Sequence, residues 1–305
     1  MAAVADPFAR IAELPGVSDA VLSARDAVDR LLGQRILRRR GAEVAAESAL
    51  RGARASAALE GRPFALRDVR AGAVTDPVVQ GALRVSAELG VLADTWRRAP
   101  GQVLARLHAL AAADVVEARW LGRPRTADQD ATTAATTDTA VRTDTRTDAA
   151  VSDAHPSAGA QAAVGEAHTA VDDVLGLGPP PAPDEVAARL DALFDLLMRD
   201  TVAPAIVVGG IVHGELLALR PFSRCDGIVA RAAQRVTFIA RGLDPKSLVA
   251  PEVGHAELGA AYPEALRGYA TGTPAGVAGW VGHCADAVSV AARDSLAVCE
   301  ALHRG

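Results

Sequence analysis

Residues 212–242 read VHGELLALRPFSRCDGIVARAAQRVTFIARG, and this stretch decides how the chain is to be understood. An apolar run ends at Leu219, a short polar loop spans Arg220–Asp226, and apolar residues then recur at helical spacing up to a glycine stop at Gly242. The pattern predicts two helices joined by a tight turn, the second starting near Gly227. A helix N-terminus presents unpaired N–H groups and the positive end of the peptide dipole, which suits an anion. Arg224 stands near that mouth and Arg231 one turn inside, and guanidinium forks match phosphate geometry. Glycine at 227 lets a ligand approach the backbone closely.

Working outward, the rest of the chain reads as helix. It has 305 residues, half of them hydrophobic but only 3% aromatic, with alanine abundant and β-branched residues scarce outside short runs. Helices are predicted from Val17 to about Gly61, from about Val78 to Ala113 with a break at 99–102, and over 184–199, 203–219, 227–241, 252–270 and 275–303. The fold class is therefore all-α. Between the two halves lies a stretch rich in Thr, Ala, Asp and Pro at 126–183, with too few large apolar residues to offset its ordering entropy. It reads as a disordered insertion dividing one helical domain. The segments are then 1–49, an N-terminal helical region; 50–125, the first part of the core; and 184–305, the second part, carrying the loop.

Composition excludes several functions. There is a single lysine, Lys246, with no glycine before it, so no phosphate-binding P-loop exists. A net charge of −5 speaks against nucleic acid as a partner. No run approaches the ~18 apolar residues of a membrane span, and MAAVADPFAR lacks the features of a signal peptide, so no membrane partner and a cytoplasmic location are expected. Cys225, Cys284 and Cys299 are too few and too widely spaced for a disulfide framework. His213-Gly-Glu215 has the His-x-Glu spacing of zinc deaminases, but no Pro-Cys-x-x-Cys follows. No metal ligand is assigned, His283 and Cys284 read as buried helix residues, and His255 has no evident partner. Trp96, Trp120 and Trp280 read as core anchors, and Arg35, Arg38, Arg39 and Arg40 as a solvated face.

The segment RPFSRCDGIVAR, 220–231, resembles without gaps the signature His-Pro-Phe-x-(Asp/Glu)-Gly-Asn-Gly-Arg-x-x-Arg of Fic domains. Pro221, Phe222, Gly227 and Arg231 match. A second stretch, SAALEG at 56–61, is similar to the Ser/Thr-x-x-x-Glu-Gly/Asn inhibitory helix of that family. The resemblance implies a helical bundle that moves AMP from ATP to a protein hydroxyl. It implies nucleotide or phosphate contacts from Phe222, Arg224, Asp226, Gly227 and Arg231, and an inhibitory segment of Ser56, Glu60 and Gly61 with Glu60 paired to Arg231. ATP or another nucleotide and a protein target are the implied ligand and partner.

The departures carry as much information. Arg220 stands where the family has its catalytic histidine, and arginine stays protonated and cannot act as a base. Arg224 replaces the acidic residue that holds Mg²⁺, which speaks against that ion. Cys225, Asp226 and Ile228 replace glycine, asparagine and the first phosphate-binding arginine. A gapped register aligning Asp226-Gly227 with the family's Asp-Gly restores a metal ligand but leaves Ile228, Val229 and Ala230 in place of Asn-Gly-Arg. The reading is a Fic-like protein with a degenerate site, lacking AMP transfer and retaining at most weak nucleotide or phosphate binding. Two alternatives stay open: an active transferase using an altered mechanism, and a non-enzymatic helical interaction protein.

Overall fold

A computed structural model describes residues 6–126 and 175–304; among these there are twelve α-helices and no strand. The first half holds α1 (Pro7–Ala12), α2 (Val17–Leu32), α3 (Leu37–Leu59), α4 (Leu66–Arg70), α5 (Pro77–Trp96) and α6 (Pro100–Ala112), followed by a 3₁₀ turn at Ala118–Trp120. The second half holds α7 (Pro183–Leu197), α8 (Ala205–Leu219), α9 (Asp226–Ala240), α10 (Pro251–Leu258), α11 (Ala261–Ala270) and α12 (Pro274–Arg304).

Local chemistry sets many of the boundaries. Asp76 caps α5 by accepting from Val78 N and Val79 N at 2.9 and 3.2 Å, and Pro77 occupies the first turn, where its missing N–H costs nothing. At the other end of α3, Gly61 takes φ +75°, and the amides of Gly61 and Arg62 fold back onto Ala58 O and Ala57 O at 3.0 and 2.9 Å. This double closure ends the helix sharply at Glu60.

The paired helices α8 and α9 form the centre. Nearly all of α8 is buried, as a helix apolar on almost every side requires. Every residue of α9 from Gly227 to Ala240 is buried too, including Arg231, Gln234 and Arg235, each of which has a hydrogen-bond partner inside the bundle. Helices α3, α5, α6 and α10 pack around α9, and α12 lies along α2, α10 and α11. The N-terminal region does not stand apart, because Val17, Val21, Val28 and Leu31 of α2 belong to the same core as Leu217, Phe238 and Trp280.

Several expectations need correction. The helix predicted over 252–270 is two helices, interrupted where Gly259 adopts φ +55°. Trp96 and Trp280 are buried, but Trp120 is only half-buried, beneath the Arg119 guanidinium. Arg40 is not purely solvated: it pairs with Glu43 and donates to Leu302 O at 2.8 Å. Most of the expected insertion, 127–174, lies outside the described residues. Its last part is ordered, however, with Leu175 and Leu177 packed against the core ahead of α7.

Candidate functional site

Arg220 ends α8 in the left-handed region, φ +44°, and Cys225 opens α9 in the same region, φ +64°. These two residues turn the chain back on itself within five residues. Cys225 stands where the Fic signature has glycine, so this strained backbone explains why glycine suits the place. The loop is held from three sides. Phe222 is buried and stacks face to face on the His108 ring of α6, with centroids 3.9 Å apart and planes 2° from parallel. Asp226 reaches back from the first turn of α9 and accepts from Phe222 N at 2.9 Å. Arg125, also buried, donates its backbone N–H to Pro221 O at 2.8 Å and its Nε–H to Arg220 O at 3.0 Å, and its guanidinium reaches Pro181 O as well.

His108 accepts from Gly122 N at 2.9 Å through Nδ1. Burial pushes it down to about 4, offset only in part by the Arg224 backbone beside it, so it is a neutral ring at neutral pH. The same cause pushes the Cys225 thiol up to about 12, which leaves it protonated at neutral pH, neither a base nor a thiolate nucleophile.

Across the loop lies the 56–61 segment. Ser56 and Glu60 are four residues apart and share one face of the last turn of α3. Arg231 is 1% exposed and meets both: Nε donates to Ser56 Oγ at 3.0 Å, and Nη2 donates to Ser56 O at 3.0 Å and Glu60 Oε1 at 2.6 Å. Burial alone would lower the Arg231 pKa, but the Glu60 carboxylate and the Tyr262 hydroxyl outweigh it and hold the guanidinium charged. Glycine at 227 is required by this contact, since a Cβ there would lie 2.1 Å from Glu60 Oε1. The Glu60–Arg231 pairing follows the ungapped register; the gapped one would put Ala233 in the place of Arg231.

Leu59, Glu60, Leu217, Arg220, Arg224, Cys225, Asp226, Gly227 and Arg231 line one cavity, together with Leu175 of the returning segment. Its volume is about 70 Å³, well short of the ~300 Å³ or more of a typical ligand pocket. Glu60 fills the space above the start of α9. A larger cavity of about 320 Å³ shares the Arg220 wall, but its main polar groups are paired with one another: Glu215 binds Arg189 at 2.9 Å and accepts from Tyr269 Oη at 3.0 Å.

The structure thus brings together the candidate residues from the two motifs except Phe222, which anchors the loop from behind, and Gly61, an exposed turn residue that ends α3 and does not line the cavity. Asp226 lines the cavity, yet its carboxylate also closes the loop. Sequence reasoning missed Arg125, His108, Leu175 and Tyr262. Arg125 sits at the edge of the Thr-rich stretch with no periodic context, and no local signal marks the other three.

The chain covers 93% of its length in superposition on a crystal structure of a Fic family protein from Desulfovibrio desulfuricans G20, with a TM-score of 0.62. The fold is Fic-like. Identity over that match is 17%, and it spans 75% of the other chain. No protein-family model matches the sequence, and no curated protein matches it either. No helix among the described residues is long and apolar enough to cross a membrane.

Proposed function

We propose that this Fic-like protein has lost AMP transfer and keeps a remnant phosphate-binding loop, which Glu60 covers from above. One observation carries the reading: Arg220 and Arg224, at the places of the family's base and metal ligand, line the same small cavity as the Glu60–Arg231 pair. Phosphoryl-type transfer needs a group to take the hydroxyl proton and, in this family, a metal to neutralise the phosphates. An arginine supplies neither, and the protonated Cys225 thiol does not replace the base. Two arginines around a helix N-terminus still favour an anion, so a nucleotide's phosphates or a free phosphate are the ligands that the loop suits. Bound nucleotide must compete with the Glu60 carboxylate for Arg231, which keeps affinity low.

Incubating the protein and its Glu60→Gly variant with labelled ATP and a cell lysate tests the first half of the reading. No labelled protein is expected with either. Labelled bands that depend on Arg231 would refute it and favour a transferase working by altered chemistry.

A further inference from the structure

Away from the loop, a second polar cluster lies sealed inside the bundle. His213 of α8, His255 of α10 and Cys284 of α12 are each 0% exposed, and one donor atom from each lies within 4.8 Å of the other two. Gln234 of α9 borders the same point, its Oε1 3.1 Å from His255 Nε2. The remaining ring nitrogens are braced from outside. His213 Nε2 lies 2.9 Å from the Tyr262 hydroxyl, and His255 Nδ1 lies 3.1 Å from His283 Nε2. His213 Nδ1 and Gln234 Nε2, by contrast, are fully buried and make no hydrogen bond of good geometry, although the Gln234 amide lies beside both His213 and Cys284. Such buried polar atoms are rare in native proteins, and two around one point ask for an explanation.

We propose that His213, His255 and Cys284 bind one divalent transition-metal ion of the zinc class. Two imidazoles and a thiolate are a borderline-soft donor set that selects such ions over Mg²⁺ or Ca²⁺. The Tyr262 and His283 contacts orient the two rings from outside, as outer hydrogen bonds do around metal-bound imidazoles. Binding would replace the S–H bond of Cys284 with a sulfur–metal bond, releasing the thiol proton to solvent buffer. The Gln234 amide oxygen is placed to approach a fourth position. All three ligand side chains are 0% exposed and the Trp280 and Tyr262 rings pack against the imidazoles, so the role is structural: the ion would tie α8, α10 and α12 together. Loading is then coupled to folding. The inference does not depend on the loop reading.

The test uses the full chain, unfolded under reducing conditions with chelator, freed of both, and refolded with Co²⁺. A Cys225→Ser/Cys299→Ser variant leaves Cys284 as the single thiol, so any thiolate–cobalt band can come from it alone. The expected result is stoichiometric cobalt, a near-ultraviolet thiolate-to-cobalt charge-transfer band and a raised melting temperature in that variant and in wild type. His283→Asn should keep the band and weaken binding about 10–100-fold. Cys284→Ser should lose it. Wild type that regains its helical circular dichroism without the band overturns the proposal. So does a band that survives Cys284→Ser.

Discussion

Acidification should loosen the loop through His108, and the size of the effect can be worked out. The ring is 1% exposed and stacks on Phe222, and burial pushes it down to about 4 from the 6.5 of a freely solvated side chain. Because the folded value is the lower one, the unfolded chain binds the extra proton between those two pH values. Stability is therefore complete above about 6.5 and falls as the pH drops toward 4. The full difference of about 2.5 units corresponds to about 3 kcal/mol, and about 2 kcal/mol of it is already lost at pH 5 relative to pH 8. Urea unfolding of wild type and His108→Gln at both pH values isolates this contribution. Glutamine keeps an acceptor for Gly122 N but does not titrate, so the variant should be weaker throughout yet lose about 2 kcal/mol less between pH 8 and pH 5. Parallel pH profiles for the two proteins would refute the argument that burial keeps His108 neutral. His283, also pushed to about 4 by burial, adds a similar loss in the same direction, so wild type as a whole should be acid-labile.

Other perturbations follow from single contacts. Cys225→Gly relieves a left-handed backbone and should raise the urea midpoint, a net gain of about 1 kcal/mol after the lost thiol packing. Arg125→Ala leaves the carbonyls of Arg220 and Pro181 without their donor and should cost about 1–3 kcal/mol, with faster amide exchange over 220–226 than elsewhere. Ser56→Ala strands Arg231 Nε in a buried site and should cost about 1–2 kcal/mol in thermal or urea unfolding.

How much of this was legible in the sequence varies with the range of the interaction. A helix end marked by local chemistry, Glu60-Gly61, could be read directly, because turn preferences act over three or four residues. The break at Gly259 was missed because a single glycine inside a helical pattern is ambiguous without its φ. The two motifs predicted that Glu60 would pair with Arg231, 171 residues away, but only through the family resemblance. No spacing predicts Arg125 bracing Pro221, or His255 between Gln234 and His283, since these contacts exist only once helices from distant parts of the chain are packed. His255 had no evident partner in the sequence and proves to have two. Trp120 fails for the opposite reason: a large aromatic suggests a core anchor, yet it sits in a short 3₁₀ turn beyond α6 and is only half-buried among the described residues.

On the proposed reading, Glu60 covers an anion site formed by Arg231 and the start of α9. Calorimetric titration of ATP into wild type and Glu60→Gly addresses it directly. The variant should bind at least about tenfold more tightly, a gain of about 1.4 kcal/mol or more. Equal affinity in the two proteins, or no binding by either at millimolar ATP, would contradict that reading.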